Sequence, residues 1–306
     1  MAAERVDAIR VDVMEDKITK RQSVQSPWRR AVWRLLHTPA GAIGVGVLLL
    51  SSGVAFVAPY LSPYDPVIQY AGDELLSPRA KYLLGTDEFG RDILSRIIFG
   101  ARISLTVGLI SVAIGFVFGA TSGLISGYLG GWVDAVINRL WDCLLAFPVI
   151  LLGIAVVLVT GPGAVNAAIA VGISNIPIFA RLARAVALTE KERDYTHAAR
   201  ALGGRETRIV FRHLLPNALS PLVVQSAVAM AFAVLLEASL SFLGLGAQPP
   251  EPSWGSMLSY SRQFLRVAWW YGVFPGAALT FLLIGLNYFS DAVRDAFDPR
   301  QINISR

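Results

Sequence analysis

Six long apolar segments constrain this chain of 306 residues more than any other feature of its sequence. Each is long enough to cross the hydrocarbon core of a bilayer, which takes about 20 residues of helix. Hydrophobic residues form 54% of the chain and charged residues only 16%, which excludes an ordinary soluble domain. The predicted fold class is therefore all-α, a polytopic membrane protein with six transmembrane helices. We place the spans near residues 40–60, 103–128, 135–160, 165–188, 218–246 and 270–293.

The distribution of Lys and Arg predicts how the chain is oriented in the lipid. Most of the 27 cations lie in the N-terminal tail and between the fourth and fifth spans, and segments of this kind face the cytoplasm. The longer connection on the other side, 61–102, balances its cations with acidic residues. Both termini are therefore predicted to be cytoplasmic. In the tail, "WRRAVWRLLH" (28–37) alternates apolar residues with arginines, which predicts an interfacial helix on an anionic leaflet.

A polar segment between the fourth and fifth spans, "DYTHAARALGGRETRIVFRHLLPN" (194–217), is here called the elbow. Gly203 and Gly204 are predicted to end a short helix, and a second helical arm, 206–215, is predicted to run to Pro216 at the start of the fifth span. From the residues alone, the elbow is either a solvated basic loop or a rigid knuckle for another protein. The residues at helical spacing on one face of the first helix are Tyr195, Ala198, Ala199 and Leu202.

The elbow resembles the "EAA" cytoplasmic loop of permease subunits of ABC importers. The resemblance rests on Ala198, Ala199, Gly203, Leu215 and Pro216. It implies that the elbow docks in a groove of an ATPase subunit and transmits its movement. Two positions depart from the pattern, namely His197, where the family has Glu, and His213, where Ile is commonest. The coupling residues implied by the resemblance are Tyr195, His197, Ala198, Ala199, Arg200, Leu202, Gly203, Leu215 and Pro216.

Three further stretches are similar to the C-type permease subunit of dipeptide, oligopeptide and nickel ABC importers. They are "LGTDEFGRDILSRIIFGARISLTVG" (84–108), "EASLSFLGLGAQPPEPSWGSML" (237–258) and "NYFSDAVRDAFDPR" (287–300). The resemblance implies a type I importer fold in a bacterial plasma membrane. Implied partners are a homologous second permease in a heterodimer, two ABC ATPase subunits and an extracytoplasmic substrate-binding protein. Peptides are the implied cargo, with nickel complexes or glutathione as alternatives.

With this resemblance, the chain divides into five predicted parts. They are a cytoplasmic tail with the interfacial helix (1–39), the first transmembrane helix (40–60), an extracytoplasmic loop (61–101), a core permease domain of five helices with the coupling loop 189–217 (102–294), and a cytoplasmic C-terminal tail (295–306).

Six residues at the outer end of the fifth span are candidates for the translocation pathway or its gate. Glu237 is an acidic residue within a span, where such a group normally faces a cavity or a partner. The prolines of the following loop stiffen it, and Trp254 suits an interface, so the loop is interpreted as a gate or as a plain interfacial anchor. The charged residues of 84–108 either pair among themselves as an external cap or receive the binding protein. The pathway candidates are Glu237, Ser241, Gln248, Pro249, Pro250 and Trp254.

Several functions are excluded by missing motifs. No G-x-x-x-x-G-K-[ST] stretch occurs, so the chain is not expected to hydrolyse ATP, and ATP and Mg are expected on partner subunits. All three histidines lie outside the spans, which argues against an intramembrane Ser-His protease, and a single Cys143 argues against a metal site. No cofactor or nucleic acid is expected on this chain. An ion-coupled secondary transporter is the rival class, although it would leave the elbow without a role.

Overall fold

The structure is a computed structural model, and it describes residues 33 and 35–297. Most of the predicted interfacial helix 28–37 and the predicted tail beyond residue 297 lie outside the described residues. Within them the fold is helical, and the only β-type pairing is an isolated bridge between Thr86 and Asp92.

Eleven α-helices and two π-helical turns form the described part of the chain. The helices are α1 (Pro39–Leu61), α2 (Ile93–Ile114), α3 (Ala120–Leu129), α4 (Gly131–Leu145), α5 (Val149–Thr160), α6 (Ala164–Glu190), α7 (Asp194–Ala201), α8 (Glu206–Ile209), α9 (Leu215–Phe242), α10 (Trp254–Ser261) and α11 (Trp270–Phe297). The π-helical turns, Gly115–Gly119 and Val210–Leu214, join α2 to α3 and α8 to α9 without a break.

Five continuous helices in the described residues are long and apolar enough to cross a membrane. They correspond to five of the six predicted spans. The remaining predicted span, 135–160, is instead the pair α4 and α5, which meet at an angle of 95°. Pro148 causes the break, because it lacks an N–H and disfavours a helical conformation at the residue before it. The pair counted as one broken span gives the sixth predicted crossing.

Two helix starts also differ from the prediction. The second span begins at Ile93 rather than near 103, because the side chain of Asp92 accepts a hydrogen bond from the Ser95 N–H (2.8 Å) and caps the helix. At the elbow, the second arm and the fifth span form one helix from Glu206 to Phe242. Its π-helical turn ends at Leu214, two residues before Pro216, which cannot donate a backbone hydrogen bond.

A stripe of glycines on the π-helical turn Gly115–Gly119 and on α3 brings the second span against α6. A Cβ added to Gly119 would lie 2.5 Å from the Ile176 carbonyl oxygen, and one added to Gly123 would lie 2.1 Å from the Ala180 carbonyl oxygen. Such distances leave room for no side chain, so the two helices are held by direct backbone contact. The stripe recurs every four residues, at Gly115, Gly119, Gly123 and Gly127.

The bundle presents different structures at its two ends. One end carries the segment 62–92, here called the cap, together with α10. The other end carries the elbow, which connects α6 to α9. The helix formed by α2 and α3 runs from the cap to the elbow end, and the helix formed by α8 and α9 runs back.

Candidate functional site

The first helix of the elbow, α7, is fixed to the end of α6 and is terminated by glycine, as the sequence predicts. Thr196 is fully buried, and its hydroxyl donates to the Glu190 carbonyl oxygen (2.8 Å). After α7, Gly203 adopts φ +77°, a left-handed conformation that favours glycine, and Gly204 N–H donates to the Ala199 carbonyl oxygen (3.0 Å). The turn between the two arms is therefore defined by its backbone.

The residues predicted to share one face of α7 differ in exposure. Ala198 is exposed, and the side chain of Leu202 is 89% exposed. Ala199 is half-buried against an apolar cluster that includes Ile209 and Leu214 from the second arm. The surface offered to another protein is therefore centred on Ala198 and Leu202, whereas Ala199 holds the elbow to the bundle.

A hydrogen-bonded group joins α7 to the second span and to α8. The Tyr128 hydroxyl, at the end of α3, accepts from an Arg200 guanidinium N–H (3.2 Å) and donates to Glu206. The Arg200 guanidinium also lies 5.5 Å from the centroid of the Tyr128 ring, and its Nε lies 4.0 Å from Glu206. Tyr128 therefore contacts both arms of the elbow at once.

A second group joins α7 to the fourth and fifth spans. The Tyr195 hydroxyl donates to the Glu190 carboxylate and accepts from the Asn217 side-chain amide (3.0 Å). Burial, and then the neighbouring Glu190, raise the pKa of Tyr195, so its hydroxyl stays protonated and remains a donor. The departure His197 is exposed, with its Nε2 3.9 Å from Glu192.

Leu215 and Pro216 lie apart from the exposed surface of α7. Leu215 is half-buried and packs against the same apolar cluster as Ala199, while Pro216 is exposed at the start of α9. His213, the other departure, is half-buried, and its ring lies 6.2 Å from that of Tyr195. Leu215, Pro216 and His213 therefore lie where the elbow joins α9, and not on the exposed surface of α7.

At the cap end, Glu237 and Ser241 form a buried polar bridge. Glu237 is fully buried, and its two carboxylate oxygens accept from Ser241 (2.7 Å) and from Ser104 (3.2 Å). The Ser241 hydroxyl also accepts from the Ala247 N–H (3.3 Å). In this structure these groups join α9 to α2 and to the loop that follows α9.

The outer-loop candidates fall into two groups. Gln248, Pro249 and Pro250 line a cavity of about 640 Å³ between the loop and α2. Trp254 is instead buried, with 3% of its surface exposed, and its indole N–H donates to the Ile97 carbonyl oxygen (3.0 Å). The interpretation of Trp254 as an interfacial anchor is therefore wrong, because its ring packs over Gly100 inside the fold.

The charged residues of the cap satisfy one another to a large extent. Buried Asp87 pairs with Arg91 (2.6 Å) and lies 3.5 Å from the Arg96 Nε. The side chains of Lys81 and Tyr82 hydrogen-bond to Asp73, and these bonds lower the pKa of the Asp73 carboxyl. The cap is thus a folded unit with an interior of paired charges.

Two residues that the structure places beside the candidate site residues were not among the candidates predicted from the sequence. Tyr128 joins the two arms of the elbow, and nothing local in the sequence indicates its partners 72 and 78 residues away. Arg102 lines the cavity of about 640 Å³, whereas the sequence placed it among the charged residues of 84–108 that pair with one another or receive the binding protein. A cation inside an apolar helix was the available signal.

Comparisons with known proteins give the family. The family model described as "Binding-protein-dependent transport system inner membrane component" matches residues 115–303, and "N-terminal TM domain of oligopeptide transport permease C" matches residues 26–78. The chain belongs to this family of ABC importer permeases.

Named relatives of the permease are similar over nearly their whole length. A dipeptide transport system permease protein of Alkalihalophilus pseudofirmus is 44% identical, covering 90% of each chain. A glutathione transport system permease protein of Pectobacterium atrosepticum is also 44% identical, over 92% of this chain and 94% of the relative. A di/tripeptide transport system permease protein of Pseudomonas aeruginosa is 41% identical, over 91% and 94%.

A solved structure shares the fold of the permease. A chain of the MetNI methionine ABC transporter, in an inward facing conformation, matches with a TM-score of 0.54 and 19% identity, covering 66% of this chain and 96% of that one. Family membership makes the permease a multi-pass membrane subunit that works with a separate ATPase, a substrate-binding protein and a second permease. It is a transport subunit and not itself an enzyme.

Proposed function

We propose that this permease forms, with a homologous but non-identical second permease, an alternating-access pathway for di- and oligopeptides. An extracytoplasmic binding protein delivers the cargo, and two ATPase subunits bind ATP and Mg, so this chain needs no cofactor of its own. Relatives named for dipeptide, di/tripeptide and glutathione transport support a peptide cargo. Glutathione remains the nearest alternative, since it is itself a tripeptide, and nickel complexes have less support.

The observation that carries the proposal is how the elbow is attached. Two hydrogen-bonded groups, around Tyr128 and Tyr195, tie α7 to the ends of the second, fourth and fifth spans. Its outer surface at Ala198 and Leu202 stays exposed. A partner that moves α7 would therefore move three spans together. Shifting a two-state equilibrium from 1:99 to 99:1 takes about 5.5 kcal/mol of differential contact energy.

The proposal includes an orientation. The elbow faces the cytoplasm, where an ATPase is found, and the cap faces the outside, where the binding protein delivers cargo. Both termini are then cytoplasmic. Support comes from the excess of Lys and Arg in the tail and around the elbow.

Co-purification of the assembled transporter tests the docking surface. We expect Leu202→Glu or Ala198→Trp to reduce recovery of the ATPase with tagged permease by about tenfold, since either change disrupts a close contact. Leu83→Glu is the matched control, because Leu83 is an exposed leucine (60%) on the cap. Ala199 is a poorer test because it packs inward. Equal ATPase recovery from all three variants would contradict the docking role.

A second variant tests coupling by the turn itself. Gly203→Pro is incompatible with φ +77° and alters the angle between the two arms, although a side chain at Gly203 would meet open space. We expect membrane insertion to persist and ATP-driven uptake to be lost. Normal uptake by this variant, or uptake by the permease alone driven by a proton gradient, would instead favour the ion-coupled class.

A further inference from the structure

The cavity described above, about 640 Å³, has one wall made by a single face of α2. Its volume falls within the range of small-molecule sites, about 300–1,000 Å³. The opposite wall is formed by the turn 162–166 and by the outer loop 248–252. The α2 residues on the wall follow helical spacing and are Phe99, Arg102, Ile103, Thr106, Val107 and Ile110.

The polar groups of this cavity differ in whether they are already engaged. The Asn166 amide N–H groups donate to the Thr160 and Gly161 carbonyl oxygens (3.0 and 2.9 Å), which fixes the turn. The Gln248 amide likewise donates to the outer-loop backbone at 3.0 Å. The two charged residues of the lining, Arg102 and Glu251, are different, because neither side chain makes a hydrogen bond or ion pair within the described part of the chain.

Arg102 is exposed in the third of the second span nearest the cap, so its guanidinium is accessible to an anion that enters the cavity. Most of the surrounding wall is apolar and offers the anion few competing hydrogen-bond donors. A guanidinium presents a planar fork that matches a carboxylate with two parallel hydrogen bonds. Peptides carry a free carboxylate at their C-terminus, whatever their side chains.

We propose that Arg102 binds the carboxylate of the peptide while it passes through this cavity. The inference rests on the proposed peptide function and adds a cargo-binding residue to it. Because every unmodified peptide has this group, Arg102 would hold cargoes of different sequence in one orientation. The remaining wall is apolar and would accept varied side chains.

Uptake into proteoliposomes containing the whole transporter tests the proposal with two cargoes. One is a peptide that the cognate binding protein carries, and the other is the same peptide as its C-terminal amide, each preloaded on that protein. In Arg102→Gln we expect free-acid uptake to fall about tenfold, to the level of the amide, while amide uptake is unchanged. Arg102→Lys should keep part of the free-acid rate, because it keeps the charge without the fork.

Chemical rescue separates charge from folding. In a Cys143→Ser background, Arg102→Cys can be modified with a methanethiosulfonate that adds an amine or with one that adds only a methyl group. The amine should restore free-acid uptake and the methyl group should not. Wild-type free-acid uptake in Arg102→Gln, or failure of the amine reagent to restore free-acid uptake in Arg102→Cys, would overturn the proposal.

Two other results of the uptake experiment would point to a different role for Arg102 or to failure of the proposed function. If Arg102→Gln and Glu251→Gln slow both cargoes equally, Arg102 pairs with Glu251 on the opposite wall during closure, and the cargo assignment is wrong. If the unaltered transporter shows no ATP-driven uptake at all, the proposed function fails before Arg102 is tested.

Discussion

Tyr128 shows at the level of one residue how the elbow could pass on movement. Its hydroxyl bridges Arg200 and Glu206, while its ring packs in the apolar cluster at the elbow end. This one hydroxyl, at the end of the second span, contacts both arms of the elbow.

Tyr128→Phe should loosen this connection while preserving the ring. We expect peptide uptake per ATP hydrolysed to fall severalfold, because the lost bonds involve charged partners worth about 1.5–3 kcal/mol when buried and less at this partly exposed site. Uptake and ATPase rates of the reconstituted transporter measure the ratio. Tyr60→Phe is the control, since Tyr60 is 91% exposed on α1. An unchanged ratio in Tyr128→Phe would show that the bridge carries no coupling.

Two roles of Glu237 can be told apart by experiment. Its burial predicts that it stabilises the fold, whereas the sequence predicts that it lines the translocation pathway. Glu237→Ala would leave two serine hydroxyls without their acceptor, at a cost of about 1–3 kcal/mol. We expect a clear drop in the Tm of the purified permease, and a smaller drop for Glu237→Gln, which can still hydrogen-bond. If both variants keep the Tm but lose uptake, Glu237 acts in the pathway after all.

At the scale of the helix, the glycine stripe on the π-helical turn Gly115–Gly119 and on α3 explains how closely the second and fourth spans pack. At Gly119 and Gly123 the nearest atoms are backbone carbonyl oxygens of α6, so no flexible side chain can move aside to admit a new one. The contact therefore fixes the distance between the two spans at these residues.

Gly123→Leu should force these two spans apart. Overpacking costs about 1–3 kcal/mol where neighbours can shift, and here the obstacle is the Ala180 backbone. We expect a loss of monodisperse protein in detergent and a large fall in Tm. Gly53→Leu is the matched control on α1, because a Cβ there meets nothing within 4 Å. Equal behaviour of the two variants would refute the backbone contact.

Local chemistry in the sequence predicted much of the fold but few of its distant contacts. The end of α7 at Gly203 and the apolar spans follow from neighbouring residues, so they were found. The start of the second span was missed, because an ion pair between Asp87 and Arg96 lets a charged helical turn be buried. Trp254 was misplaced for a similar reason, since its partner at Ile97 is 157 residues away.

On the scale of the whole molecule, the proposal requires the cap and the elbow to face opposite sides of the membrane. The helix of α2 and α3 runs from one to the other, as do α6 and the helix of α8 and α9. With α4 and α5 counted as one broken span, three spans separate the cap from the elbow along the chain, so the two lie on opposite sides of the membrane.

Cysteine labelling tests this arrangement directly. In a Cys143→Ser background, Leu83→Cys and Leu202→Cys each place one thiol at an exposed position, 60% and 89% exposed respectively. The permease is expressed without partner subunits so that none covers the elbow. A membrane-impermeant maleimide should label Leu83→Cys in intact spheroplasts and Leu202→Cys only in inverted vesicles, since the excess of cations keeps the elbow inside. Labelling of both positions from the same side would contradict the orientation and remove the elbow from reach of a cytoplasmic ATPase.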